Sequence, residues 1–116
     1  MVTPSIRQCT TPTLTDSQFA MLHDMLEEQR RFRIEQLTAS ADTQRAMTEA
    51  DLEVQETILH GARLALTEIE SALDRMSRGA YGRCTQCGSR LPLERLEILP
   101  QAAHCMPCQR REDARR

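Results

Sequence analysis

Four of the five cysteines in the chain form two pairs, Cys84-Thr85-Gln86-Cys87 and Cys105-Met106-Pro107-Cys108. Seventeen residues lie between them, so the pattern is C-x2-C-x17-C-x2-C, within the range of four-cysteine zinc sites. Two intervening residues let a tight turn aim both sulfurs at one ion. Gly88, just after the first pair, is free to take the positive φ such a turn often needs. Two turns of this kind complete the tetrahedron that Zn²⁺ prefers, with Zn–S bonds of about 2.3 Å. Four thiolates leave no open coordination position, so the expectation is one structural Zn²⁺ on Cys84, Cys87, Cys105 and Cys108. Two disulfides or an iron–sulfur cluster are the alternatives; the paired turns favour zinc.

His104 adjoins Cys105, but the second pair of sulfurs is already complete, which leaves it a supporting or solvated role. His23 and His60 have no partner at metal spacing. Cys9 is remote from the quartet and reads as a solvated thiol. No Ser/His/Asp or Cys/His set and no glycine-rich phosphate loop is present, so the chain is not expected to be an enzyme.

The elements that must carry this site are helical. In 116 residues, aromatics make up 3% and Trp is absent. Few side chains can therefore anchor a large core, and a thin core calls for a staple such as a metal. Residues 1–14 are rich in Thr, Pro and Ser and read as a flexible N-terminal segment. Thr15-Asp16-Ser17-Gln18 fits a capping box, and helix one is expected from there to about Leu37. Its apolar stripe starts with Phe19, Leu22 and Leu26 and continues less regularly through Met25, Phe32, Ile34 and Leu37.

Residues 38–48 are small and polar and read as a hairpin tip, with a helical conformation left open for part of the stretch. Helix two carries Leu52, Gln55, Leu59, Ala62, Leu66, Ile69, Leu73 and Met76 at alternating three- and four-residue steps, the a/d seam of a coiled coil. A short connection packs the two helices antiparallel. The expected fold is mainly α: an antiparallel coiled-coil hairpin over residues 15–79, then a four-cysteine zinc finger with a short C-terminal helix over 80–116.

The net charge is −2, which gives no general drive toward nucleic acid or an anionic membrane. Arg83, Arg90, Arg95, Arg110, Arg111, Arg115 and Arg116 enrich the last third in positive charge. Because Glu94, Glu97, Glu112 and Asp113 interleave with them, a mixed solvated surface is favoured over direct DNA binding. No apolar stretch approaches bilayer length, and the first fifteen residues lack the apolar core of a signal peptide. The expected address is cytoplasmic.

The run Gly79-Ala80-Tyr81-Gly82-Arg83-Cys84-Thr85-Gln86-Cys87-Gly88 is similar to the DksA/TraR family of bacterial transcription regulators. So are Leu91-Pro92, Glu94-Arg95-Leu96, Pro100, Ala102 and Cys105-Met106-Pro107-Cys108-Gln109. With the hairpin, the resemblance covers roughly residues 16–112. It implies a protein that binds RNA polymerase and inserts its coiled-coil tip into the secondary channel, often acting with the alarmone ppGpp.

The family's tip pattern is D-x-x-D-x-A. An ungapped register from Cys84 places Ala41 and Gln44 at its two acidic positions and Arg45-Ala46 at its end, with Asp42 one place from the first. The resemblance thus carries Asp42, Arg45 and Ala46 as polymerase-contacting residues. The same register puts Gly61 and Glu68 where basic side chains help hold ppGpp. Glu68 would repel a polyphosphate, so polymerase binding independent of ppGpp is expected. A nucleic-acid-binding zinc module, and a coiled-coil interaction protein on a zinc scaffold, are the competing readings.

Overall fold

The computed structural model describes residues 13–44 and 47–115, without the side chains of Ala41 and Asp42. Cys9, Arg45, Ala46 and Arg116 lie outside the described residues, as does the Asp42 side chain. Four helices follow in order: α1 (Asp16–Thr43), α2 (Glu49–Ser77), α3 (Leu93–Ile98) and α4 (Met106–Ala114). The molecule measures 65 × 34 × 21 Å along its principal axes. Helix α1 packs along α2, and the Arg30–Glu70 ion pair at 3.4 Å fixes their antiparallel level.

The start of α1 is set by the residues expected to set it. The Gln18 amide donates to Thr15 Oγ1 at 3.1 Å, and the Thr15 amide donates to Gln18 Oε1 at 2.9 Å. Together these satisfy two otherwise orphaned backbone donors. Thr48 caps α2 in the same manner, accepting from the Asp51 amide and donating to its carboxylate.

The far end of α1 departs from expectation. The helix continues past Leu37 to Thr43, with Gln44 as its C-cap, so the tip is narrower than residues 38–48. No Gly or Pro interrupts this stretch. The Thr38, Ser40 and Thr43 hydroxyls bond back to carbonyls three or four residues earlier, which removes their competition with the helical ladder.

Along α2 the seam holds: Leu59, Ala62, Ile69 and Met76 are buried, and Leu52, Gln55, Leu66 and Leu73 are half-buried. On α1, Leu22 and Leu26 are buried whereas Phe32 is 60% exposed. Six residues beyond Leu26, Phe32 is rotated well away from the seam. The inward positions pass instead to half-buried Gln29 and Arg33 and to buried Ser40.

Gly61 lies mid-helix on the exposed side of α2, and a Cβ there would meet nothing within 4 Å. Gly61→Ala is therefore expected to stabilise the protein by about 1 kcal/mol. Urea denaturation checks this; no gain would mean that the position has an unseen partner.

Helix α2 ends in a Schellman motif. The Ala80 amide reaches the Arg75 carbonyl at 2.8 Å, and the Gly79 amide reaches the Met76 carbonyl at 3.3 Å. Gly79 takes φ 74°, which a side chain would strain. The chain thereby turns back against the base of the hairpin. Leu22, Leu26, Ile69, Ala72 and Met76 there share one core with Cys84, Leu91, Leu96 and Cys108. Arg75 is also buried, and its Nη2 donates to the carbonyls of Gln101 and Ala102, both at 3.4 Å. This guanidinium ties α2 to the loop before α4, and burial lowers its pKa.

Candidate metal centre

Each cysteine pair is held by its own local structure. In the first, the Gly88 amide donates to the Cys84 carbonyl at 2.9 Å and the Cys84 amide to the Ser89 carbonyl at 2.8 Å. Gly88 has φ 79°, the left-handed conformation anticipated from its place after Cys87. An antiparallel bridge between Arg83 and Arg90 closes the loop behind the turn. In the second pair, Cys105 is the N-cap of α4 and Pro107 lies in its first turn, where a missing N–H costs nothing. The Thr85 amide and hydroxyl both donate to the Ala103 carbonyl, at 2.8 and 3.2 Å, and so clamp one turn beside the other.

The result brings all four sulfurs within 4.8 Å of one another, with Cys87 Sγ and Cys105 Sγ 3.6 Å apart. A tetrahedron with bonds of about 2.3 Å has sulfur–sulfur edges of about 3.8 Å. The quartet thus fits a Zn²⁺ ion, and at 3.6 Å the facing sulfurs are well beyond the roughly 2.05 Å of a disulfide. Cys84 and Cys108 are buried, while Cys87 is exposed. His104 stays outside the group; its carbonyl accepts from Arg95 Nε at 3.3 Å.

The thiols differ in their readiness to ionise. Burial opposes loss of the Cys84 proton, yet N–H groups of Cys105, Cys87 and Gln86 aimed at its sulfur hold it down at about 6. Cys108 is pushed up to about 12, first by its hydrogen bond with Cys105 and then by burial, with Arg111 acting the other way. A dication at their centre favours the thiolates together.

Two donors to sulfur were not anticipated. Ser89 Oγ lies 2.9 Å from Cys87 Sγ, and Arg111 Nη2 donates to Cys108 Sγ at 3.0 Å. Arg111 follows Cys108 by three residues on one helix, a spacing that places side chains together and that was readable once α4 was assigned.

Residues 79–114 match the prokaryotic DksA/TraR C4-type zinc finger. Over these residues the C-terminal module is similar to the DksA/TraR zinc fingers. Its curated relatives include a protein of Aquifex aeolicus, 40% identical over 43 residues, or 37% of this chain and 30% of that one. General stress protein 16O of Bacillus subtilis is 40% identical over 47 residues, or 40% of this chain and 29% of that one. The matched segment thus spans less than a third of these relatives' own length.

Similarity to solved structures extends through the hairpin. Transcription factor DksA2 of Pseudomonas aeruginosa superposes with a TM-score of 0.67 at 29% identity, over 86% of both chains. The RNA polymerase binding protein and transcriptional regulator Dks of Chlamydia trachomatis gives a TM-score of 0.54 at 22% identity, over 88% of this chain and 94% of that one. The second likeness is one of fold.

Tyr81 of the DksA/TraR-type finger is the chain's single tyrosine. Its hydroxyl donates to the Pro100 carbonyl at 2.7 Å, and its ring meets Phe19 edge-on with centroids 6.1 Å apart. Burial pushes the phenol from 10.0 up to about 12, with Arg75 pulling the other way. This contribution to stability is complete below the unfolded value and is lost as pH rises through the folded one, because the unfolded phenol ionises first. Phenolate absorbance should thus titrate near 12 in the native protein and near 10 in urea; coincident curves would contradict the burial of Tyr81.

Proposed function

We propose that the protein is a transcription regulator that binds RNA polymerase and acts by inserting its hairpin tip into the secondary channel. The observation that supports this reading most is the likeness to transcription factor DksA2 over 86% of both chains. It covers the finger and the hairpin together, where the family match covers residues 79–114 alone. In this reading residues 15–79 form the arm that reaches inward, with Asp42, Arg45 and Ala46 at its end, and residues 80–116 dock outside. Cys84, Cys87, Cys105 and Cys108 would hold one structural zinc ion, which supplies cross-linking and no reaction chemistry. The setting is the bacterial cytoplasm.

Polymerase binding without ppGpp follows from the register that places Gly61 and Glu68 where the family's alarmone-contacting bases stand. Direct DNA binding is disfavoured because several finger arginines are already engaged. Arg83 bonds the Gly88 carbonyl, Arg90 the Thr13 hydroxyl, Arg95 the His104 carbonyl, and Arg111 the Cys108 sulfur.

A photo-crosslinker at position 42 or 44, with purified RNA polymerase and no DNA, tests the reading. Labelling of polymerase surfaces that line the secondary channel is expected, unchanged by ppGpp. Replacing Asp42, Arg45 and Ala46 together should leave co-purification with polymerase intact and remove most of the effect on transcription in vitro. If transcription responds as before, tip insertion is the wrong mechanism.

A further inference from the structure

We propose that Arg111 is the counter-ion of the sulfur quartet and that its guanidinium sets how firmly the metal is retained. The inference rests on the zinc reading of that site. Four thiolates around a dication leave a net charge of two minus. Two of the sulfurs have a polar side chain at hydrogen-bond distance: the Ser89 hydroxyl lies 2.9 Å from Cys87 Sγ, and Cys108 accepts from Arg111 Nη2 at 3.0 Å. Among the described residues, Arg111 alone brings a full positive charge into hydrogen-bond contact with a sulfur of the group.

The remaining finger arginines whose bonds are described point elsewhere. Arg83 donates to the Gly88 carbonyl, and Arg95 to the His104 carbonyl and Met106 sulfur. A hydrogen bond from an ionised donor is roughly twice as strong as a neutral one. A guanidinium keeps its charge at any working pH. At 3.0 Å from the Cys108 sulfur, that charge offsets part of the two-minus excess and so favours the metal-bound quartet. Groups that bond metal ligands in this way typically change affinity 10- to 100-fold. Because Arg111 is exposed, water and salt place it at the low end of that range.

The test uses the zinc-loaded full-length chain and its Arg111→Leu, Arg111→Gln, Arg111→Lys and Arg110→Leu variants. Arg, Leu, Gln and Lys have nearly equal helix propensity, so α4 is retained in all of them. Zinc content is measured first, and then the rate of zinc transfer to 4-(2-pyridylazo)resorcinol at low and high salt. Release from Arg111→Leu and Arg111→Gln is expected to be about tenfold faster than from the parent. Arg111→Lys should restore most of the retention, Arg110→Leu should match the parent, and the differences should narrow at high salt.

Equal rates for Arg111→Leu and Arg110→Leu would overturn the proposal. So would equally fast release from Arg111→Lys and Arg111→Leu, because the contact would then be packing and not charge. A parent protein without stoichiometric zinc would instead defeat the zinc reading itself.

Discussion

Withdrawing zinc with a strong chelator is expected to unfold the C-terminal module while leaving much of the hairpin helical. The module has little else to hold it. Leu91 and Leu96 are its buried leucines, and fully burying a leucine contributes about 1.5–3 kcal/mol. Metal binding contributes about 10–16 kcal/mol in small zinc-finger peptides, so the ion outweighs the core. The hairpin keeps its own seam through Leu59 and Ala62, remote from the sulfurs.

The readout is direct because the chain has one tyrosine and no tryptophan. The near-ultraviolet signal of Tyr81 should vanish on chelation as its contacts with Phe19 and Pro100 are lost. The far-ultraviolet helix signal should fall only in part. Cys87→Ser should move both signals in the same direction. A Tyr81 signal that survives complete removal of zinc would show that the quartet does not organise the module.

The second large effect is expected at the junction of finger and hairpin. Leu96 on α3 is 0% exposed and shares its core with Leu22, Leu26 and Ile69. Leu96→Ala should cost about 2–5 kcal/mol, from lost transfer energy and the cavity left behind. Two residues on, Ile98 is 78% exposed, and Ile98→Ala should change stability by no more than about 0.5 kcal/mol. Urea denaturation of the zinc-loaded variants separates the two. Similar costs for both would mean that α3 presents a different face to the hairpin.

That contrast marks where sequence reading reached its limit. The leucines and isoleucine between the cysteine pairs look equivalent as a string: Leu91, Leu93, Leu96, Ile98 and Leu99. A six-residue helix is too short for periodicity to reveal its buried face, and the docking of α3 on the hairpin selects it. Leu91 and Leu96 are taken inside, while Ile98 and Leu99 are left exposed. Arg75 is the reverse case. It is a charged residue beside the seam, yet the carbonyls of Gln101 and Ala102 hold it in the core. Those partners are 26 and 27 residues away, beyond any local signal. Phe32 is apolar by type, yet the rotation of α1 turns it outward.

Features that depend on short-range geometry are legible along the chain. The two cysteine pairs, the positive φ of Gly88, the Thr15–Gln18 capping box and the seam of α2 each need only a few neighbouring residues, and all are present as expected. Tertiary structure decided which apolar side chains close the joint between hairpin and finger and that Arg75 is buried. Each of those outcomes depends on how separate elements are oriented against one another, and side-chain spacing along one chain does not encode that orientation.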